Sequence, residues 1–284
     1  MLNQVGRLTK AKAAARAALG ALAPVLALPV SAHAQSALSL ARLALVEQKV
    51  ELAKQGAKWE TAVEGGPLRV GEALRTGPEA VARLELPWMA LTLGPNATLR
   101  FPDEFVLSAV LEGGRAVVEA RGRDALKLVA GEVEVRGQGR AVVRRQGTST
   151  LVTCLEGRFY VSGGESTITL SAGRGSVAVD GRAPSAPAEL PQAPSRGLWP
   201  GRDPVYVEPR APLELRWEGA SPAYQIELLP VGSDVVLLQK DVAAPPARIA
   251  VPWEGAFRWR VSSLDRRGLE GAPSVDGLIA VDVK

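Results

Sequence analysis

The sequence predicts an all-β protein, and three features of the chain carry this prediction. Apolar and polar residues alternate with a period of two in many short segments, as they do in half-buried strands. Turn-forming residues separate these segments, since the 284 residues include 29 glycines and 21 prolines. Beyond residue 34, no window of about 11 residues carries a clear helical stripe. The segment 36–47 is the exception, because its pattern fits either a helix or a strand.

In the N-terminal half, apolar residues that would face a core alternate with charged residues that would face water. The run 46–52 places three aliphatic side chains on one face of a strand and three charged side chains on the other. The same pattern recurs in the segments 82–86, 89–93, 97–101 and 133–135. A related sequence pattern, Gly-x-apolar-x-apolar, begins at Gly131, Gly157 and Gly173, and its spacing along the chain is irregular. This spacing indicates a coiled or rolled sheet rather than a strict repeat.

Proline density divides the chain into two domains. Eight prolines fall between Pro184 and Pro212, and such a segment cannot pair within a central strand. We therefore predict a semi-rigid linker at 184–204, between a first domain at 35–183 and a second at 205–284. The second domain has the strand spacing of a small β-sandwich. Its alternating segments are 213–217, 224–228, 235–238, 249–251, 257–261 and 279–281.

Residues 1–34 have the three-part composition of a secretory signal peptide. Four basic residues precede an apolar stretch at 17–30, and Ala32-His33-Ala34 provides a small-x-small cleavage site. Cleavage after Ala34 would release a periplasmic protein with no remaining membrane span. The alternative is that the leader stays as a membrane anchor. Against this alternative, the apolar stretch is shorter than the ~20 residues a bilayer needs and it contains two prolines.

The residue inventory restricts the chemistry of the mature chain. His33 is the single histidine and leaves with the leader, so Ser–His and Cys–His catalysis and most zinc sites are excluded. We expect no enzyme activity, no cofactor and no metal. A carboxylate pair or a Ser–Lys dyad stays open, although no motif points to either. Four of the 34 basic residues belong to the leader, which leaves 30 against 30 acidic residues and no net field that would attract nucleic acid.

Several single residues have an expected place in the structure. Cys154 lies in an apolar strand-like run and is predicted to be a small buried hydrophobe, because no basic partner is evident that would activate its thiol. Core positions are expected for three tryptophans, Trp59, Trp217 and Trp259. Solvated surface positions are expected for two basic pairs, Arg144-Arg145 and Arg266-Arg267.

Three segments of the first domain resemble the FecR domain. They read Leu-Arg-Val-Gly-Glu-Ala-Leu-Arg-Thr-Gly at 68–77, Ala-Arg-Leu-Glu-Leu-Pro at 82–87 and Leu-Thr-Leu-Gly-Pro-Asn-Ala-Thr-Leu at 91–99. Trp59 stands where the FecR pattern has an aromatic residue, and 167–179 is similar to the closing strands of that domain. The resemblance covers roughly residues 43–182 and implies a rolled, extracytoplasmic β domain without catalysis.

The second domain resembles a fibronectin type III or related immunoglobulin-like module. The similarity lies in Leu-Arg-Trp-Glu at 215–218, Tyr-Gln-Ile-Glu at 224–227 and Phe-Arg-Trp-Arg-Val at 257–261. Such modules are small β-sandwiches that present or space other domains.

The chain departs from the FecR pattern at two places. Iron-regulatory members of that family have a long cytoplasmic tail that contacts a sigma factor, whereas 16 residues precede the apolar stretch here. Classical transmembrane signalling is therefore not expected. The second departure is Pro87-Trp88-Met89-Ala90, which replaces an Asp-Gly turn with a large apolar pair at an exposed hairpin. Trp88 and Met89 are thus the candidate partner-contact residues. The alternative is that Trp88 folds back over its own sheet.

These observations favour a non-catalytic, exported binding or scaffold protein of the bacterial envelope. Its FecR-like domain would engage an envelope protein or peptidoglycan, and the sandwich would present or space that domain. The alternative is a membrane-retained regulator or sensor in a FecR-type signalling relay. The fate of the leader separates the two hypotheses, because only the regulator would keep it as an anchor.

Overall fold

The computed structural model describes residues 39–54, 56–87, 89–102, 108–121 and 127–281. Every helix or strand assigned in these ranges is a β-strand, which confirms the predicted all-β fold class. The described strands belong to one compact unit, Ala37–Lys284. The predicted signal peptide and its cleavage site lie outside the described residues. No segment of the described ranges forms a helix long and apolar enough to cross a membrane.

Fifteen strands between residues 39 and 189 form one hydrogen-bonded sheet, which we call the N-module. Its strands are β1 (Ser39–Glu47), β2 (Val50–Lys54), β3 (Glu60–Thr61), β4 (Pro67–Arg69), β5 (Glu72–Thr76), β6 (Val81–Leu86), β7 (Met89–Leu93), β8 (Thr98–Arg100), β9 (Ser108–Ala120), β10 (Lys127–Ala130), β11 (Val133–Gln146), β12 (Ser149–Gly163), β13 (Ser166–Ser171), β14 (Arg174–Val179) and β15 (Ala188–Glu189).

Nine strands between residues 196 and 281 form two further sheets, which together we call the C-module. Its strands are β16 (Arg196–Trp199), β17 (Val205–Val207), β18 (Pro212–Glu218), β19 (Ala223–Pro230), β20 (Leu238–Val242), β21 (Ala247–Ala250), β22 (Gly255–Leu264), β23 (Glu270–Pro273) and β24 (Gly277–Val281). One sheet has the order β16-β18-β21. The other has the order β17-β24-β22-β19-β20, with β23 added beside β22.

The N-module sheet rolls because its longest strands change partners along their length. The first half of β9 pairs with β8 and, in parallel, with β10, whereas its second half pairs with β7 and β11. In the same way, β12 pairs with β14 through residues 149–154 and with β13 through residues 158–163. A strand that serves two sets of neighbours must bend between them, which gives the rolled sheet its curvature.

Two glycines mark the point where β11 and β12 bend together. Gly139 and Gly157 face each other across the ladder, with φ angles of 113° and 77°. A Cβ on Gly139 would lie 2.2 Å from the Glu156 carbonyl oxygen, and one on Gly157 would lie 2.1 Å from that of Gln138. Only glycine allows this close approach of the two backbones, and a register shift follows directly at Arg140.

The structure corrects two of the strands predicted from alternation. The run 46–52 is not one strand, because β1 ends at Glu47 and β2 begins at Val50. Gln48 between them has a φ of 61°, a left-handed conformation that interrupts an extended chain. The segment 235–238 is not a strand, since β20 begins only at Leu238. The ambiguous segment 36–47 is extended over its described part, where it forms β1.

Each module has its own apolar core. In the N-module, leucines of β1, β6 and β7 pack with Phe101 and Phe159. In the C-module, both sheets contribute to one core, in which Trp217 of β18 contacts Tyr224 of β19 and Trp259 of β22. This confirms core positions for Trp217 and Trp259. Trp59 is only half-buried, with the Arg75 guanidinium 4.3 Å above its ring, so the core position expected for it is wrong.

The proline-rich segment 184–204 contributes one short strand to each module. Its first strand, β15, pairs with β14 of the N-module, and β16 pairs with β18 of the C-module. The segment therefore runs extended along both modules, as its proline content requires. Independent folding of the two predicted domains stays a prediction.

Cys154 is buried in the N-module core with none of its surface exposed, as its apolar neighbours indicate. Burial raises the pKa of its thiol to about 11, so the reactive thiolate is scarce at neutral pH. We expect slow labelling of Cys154 by a thiol reagent in the folded protein and rapid labelling after denaturation, followed by mass spectrometry. Rapid labelling of the native protein would show instead that the thiol is accessible.

Candidate functional site

The two residues predicted to contact a partner have different outcomes. Met89 begins β7, pairs with Leu86 across the hairpin and is 3% exposed in the N-module core. The expected exposure of Met89 is therefore wrong, because alternation along β7 turns this side chain inward. Trp88 lies outside the described residues, and its contact role stays a prediction.

A layer of buried charge joins the N-module to the C-module. Arg115 of β9 donates two hydrogen bonds to Glu270 of β23, from Nε at 2.9 Å and from Nη2 at 2.7 Å. Its Nη2 also lies 3.1 Å from Oε1 of Glu227 on β19. All three residues are at least 95% buried. A fork-shaped guanidinium between two carboxylates fixes the orientation of the strands that carry them.

Further contacts extend this layer, which we call the ionic seam. Arg144 of β11 ion-pairs with Asp241 of β20, and its Nη2 donates to Gln225 Oε1 of β19 at 3.0 Å. Within the C-module, Arg260 donates to Glu227 Oε2 at 2.8 Å. Four buried polar atoms of the seam have no hydrogen-bond partner among the described residues: Arg115 Nη1, Arg144 Nε, Gln239 Oε1 and Arg260 Nη2.

The structure corrects the expected surface position of Arg144-Arg145. Both are buried, and because they are successive residues of one strand, they point to opposite faces of the sheet. Arg144 faces the C-module, whereas Arg145 pairs inside the N-module with Asp180 and Thr150. The second basic pair, Arg266-Arg267, is exposed as predicted.

The seam shifts the pKa of its charged groups. Burial alone would raise the pKa of Glu227, but the guanidinium groups of Arg115 and Arg260 overcome this effect and lower it to about 2. For Arg115, burial alone would lower the pKa, but Glu270 and Glu227 together raise it above its ordinary value. Both groups are therefore charged across the physiological pH range.

The lowered pKa of Glu227 predicts a loss of stability in acid. The unfolded chain binds a proton on this carboxyl near pH 4.5, before the folded chain does, so acid favours unfolding. We expect the free energy of unfolding to decline as the pH falls from about 4.5 towards about 2. Urea midpoints measured across this range test the prediction. Other carboxylates contribute to the slope, so an Arg115→Met variant should show a shallower decline, and an unchanged slope would contradict the assignment.

A cleft of about 580 Å³ opens beside the ionic seam, between the two modules. We call it the inter-module cleft. On the N-module side, it is lined by the turns at Pro78 and Pro95 and by residues of β9 and β11, among them Gly114 and Gln146. On the C-module side, it is lined by β20, the end of β21 and Trp253. This volume lies in the range of small-molecule and short-peptide sites. Arg115 and Arg144 line the floor of the cleft, with their guanidinium groups already paired with Glu270 and Asp241.

Hydrogen bonding and charge recognition are the chemistry that this cleft supports. Arginine, lysine, glutamine and asparagine side chains line it together with three prolines and one tryptophan. Within the described ranges, no group of three or more His, Cys, Asp or Glu residues is placed to hold a metal ion. This site was not predicted from the sequence because a charged strand residue such as Arg115 has the same appearance whether water or a second module covers it.

Comparisons with known proteins give only distant similarities. No protein-family profile matches the sequence, and no curated protein matches it. Among solved structures, the fold is similar to two crystal structures of a proposed anti-sigma factor from Parabacteroides distasonis. The one at 2.50 Å resolution has a TM-score of 0.36 and 16% identity, and the match covers 41% of this chain and 59% of that one. The one at 1.65 Å resolution has a TM-score of 0.36 and 15% identity, with coverage of 43% and 68%.

Proposed function

We propose that this protein is a non-catalytic binding or scaffold protein of the bacterial cell envelope, and that the inter-module cleft holds its partner. The proposal includes export to the periplasm with cleavage after Ala34. It is supported by the composition of residues 1–34 and by the resemblance of residues 43–182 to an extracytoplasmic domain.

The ionic seam is the observation that carries the proposal. A buried ion pair is a poor source of stability, since well-packed apolar residues of the same size stabilise as much or more. Its specific contribution is geometric, because Arg115 Nη2 reaches both carboxylates only when Glu227 and Glu270 stand at fixed positions. The two modules therefore form one body with a preformed cleft between them. A preformed site binds without the entropic cost of ordering its walls.

Site-specific photo-crosslinking in the native host tests this proposal. A photoreactive amino acid would replace Gln146, whose exposed side chain lines the cleft. The matched control would carry the same amino acid at Val63, which is 70% exposed and does not line the cleft. We expect a discrete adduct from the Gln146 position in the periplasmic fraction and none from Val63.

Three results would count against the proposal. Absence of an adduct at Gln146, or equal adducts at both positions, would remove the cleft as the binding site. Recovery of the crosslinked protein with an intact Met1 terminus in the membrane fraction would favour the membrane-retained regulator. Mass spectrometry of the purified protein reads this terminus directly, because cleavage leaves Gln35 first.

A further inference from the structure

The inter-module cleft borders the edge of a β-strand as well as the face of its sheet, which it meets at Gln225 of β19. Four successive residues of β20, at 238–241, line the cleft. Successive side chains of a strand point to opposite faces, so a cavity above one face would touch only alternate residues. Contact with all four is possible only where the cavity lies beside the edge of the strand. Ile249 and Ala250, successive residues of β21, meet the cleft in the same way.

Both strands are edge strands in the described structure. In the described sheets, β20 pairs with β19 alone and β21 pairs with β18 alone. The outer edge of such a strand presents backbone N–H and C=O groups that can accept another strand. A side chain spans the gap between the two edges, since Lys240 Nζ donates to the Arg248 carbonyl oxygen at 3.0 Å. β20 contains five residues, which extends its free edge to about 17 Å.

Two exposed cationic side chains on the rim of the cleft make no ion pair with the described residues. Arg210 and Lys240 both line the cleft and are exposed, and neither is within 4.0 Å of a carboxylate in the described ranges. The carboxylates that line the cleft are Glu79 and Asp241, and Asp241 is already paired with Arg144. A ligand that brings carboxylates of its own would complement this rim.

We propose that the inter-module cleft binds an extended acidic peptide segment of a partner protein, which adds as a strand to the free edge of β20. Backbone hydrogen bonds to the edge would supply affinity, and Arg210 and Lys240 would select acidic side chains. The proposal rests on the binding function assigned to the cleft above and specifies the chemistry of the partner.

Fluorescence anisotropy with designed peptides tests this mode of binding. The probe is a labelled peptide of alternating glutamate and valine. One control alternates lysine and valine, which keeps the strand propensity and reverses the charge. The other is the glutamate peptide with alternate amides N-methylated, which keeps the charge and removes backbone donors. We expect saturable binding of the glutamate peptide and of neither control, together with slowed hydrogen exchange at the alternate amides of residues 238–242 that point away from β19.

Charge-reversal variants assign the binding to the cleft. Lys240→Glu and Arg210→Glu should each lower the affinity for the probe about tenfold, because the new carboxylate repels the carboxylates of the peptide. Arg266→Glu is the matched control, since Arg266 is exposed and lies outside the cleft. This variant should bind the probe with the affinity of the unsubstituted protein. Urea midpoints of all three variants confirm that each is folded.

Several outcomes would overturn the strand-addition proposal. One is binding of the N-methylated peptide with the affinity of the probe, and another is tighter binding of the lysine peptide than of the probe. The others are an unchanged affinity for the probe in both rim variants, and no binding of the probe at millimolar concentration. A carboxylated glycan fragment that competes for the cleft and leaves the exchange of 238–242 unchanged would also overturn it. A crosslink from Gln146 with no peptide binding would preserve the proposed function and reject only this partner class.

Discussion

Replacement of Arg115 by methionine should lower the free energy of unfolding by about 3–5 kcal/mol, one of the two largest single effects expected in this molecule. The substitution keeps the side-chain volume but leaves Glu227 and Glu270 as buried carboxylates without their shared guanidinium. Removal of one partner of a buried ion pair is costly because the desolvation of the other partner is no longer compensated. Urea unfolding, monitored by tryptophan fluorescence, gives the midpoint and the slope.

Two further variants make this measurement specific to the ionic seam. Arg267→Met removes a surface ion pair with Asp265, which is worth less than about 1 kcal/mol, and it controls for the loss of an arginine. The double variant Arg115→Met, Glu270→Leu removes both charges of one pair and should cost less than the sum of the two single changes. An Arg115→Met variant as stable as Arg267→Met would show that the seam is not closed in solution.

Much of the fold can be predicted from the local sequence, because alternation records which side of a strand faces a core. Segments 82–86 and 257–261 are strands where the pattern places them, and Trp259 faces inward. Alternation fails where the backbone leaves the extended region, as it does at Gln48. A single left-handed residue in a polar stretch leaves no mark on the hydrophobic pattern, so the break between β1 and β2 could not be predicted.

The ionic seam could not be predicted from the local sequence for a different reason. The polar face of a strand appears the same whether water or a second module covers it. Residues of β19 that alternate with its core side chains, such as Gln225 and Glu227, are buried because the N-module packs on that face. Arg115 finds its partners 112 and 155 residues away along the chain. No spacing rule connects positions so distant, and only the packing of the modules brings them together.

The inter-module cleft follows from the same packing. Its walls are turns and strand residues of one module and edge strands of the other, and each looks ordinary in the sequence. A short strand such as β20, with two exposed charged residues, has the composition by which proteins usually protect a free edge from aggregation. The position of Lys240 beside a preformed cavity is what distinguishes a recognition edge from a protected one.

Replacement of Trp259 by alanine should cost about 3–5 kcal/mol of unfolding free energy and is the second large effect expected. The indole is completely buried, and its ring centroid lies 6.2 Å from that of Trp217 in the C-module core. Its Nε1 donates a 2.9 Å hydrogen bond to the buried carbonyl oxygen of Pro200, which ties the segment between β16 and β17 to β22. The change therefore creates a large cavity and also removes a buried hydrogen bond. Urea unfolding followed by circular dichroism measures the loss.

Two matched variants separate the contributions of Trp259. Trp259→Phe keeps most of the packing but leaves the Pro200 carbonyl without its donor, so we expect a cost of about 1–3 kcal/mol. Trp199→Ala removes an indole that is 42% exposed and that contacts the Arg216 guanidinium at 5.4 Å. We expect this change to lower the free energy of unfolding by about 0.5–1 kcal/mol. Equal losses for Trp259→Ala and Trp199→Ala would contradict the central position of Trp259. The buried position of Trp259 requires the largest loss of unfolding free energy for Trp259→Ala. The loss should be smaller for Trp259→Phe and smallest for Trp199→Ala.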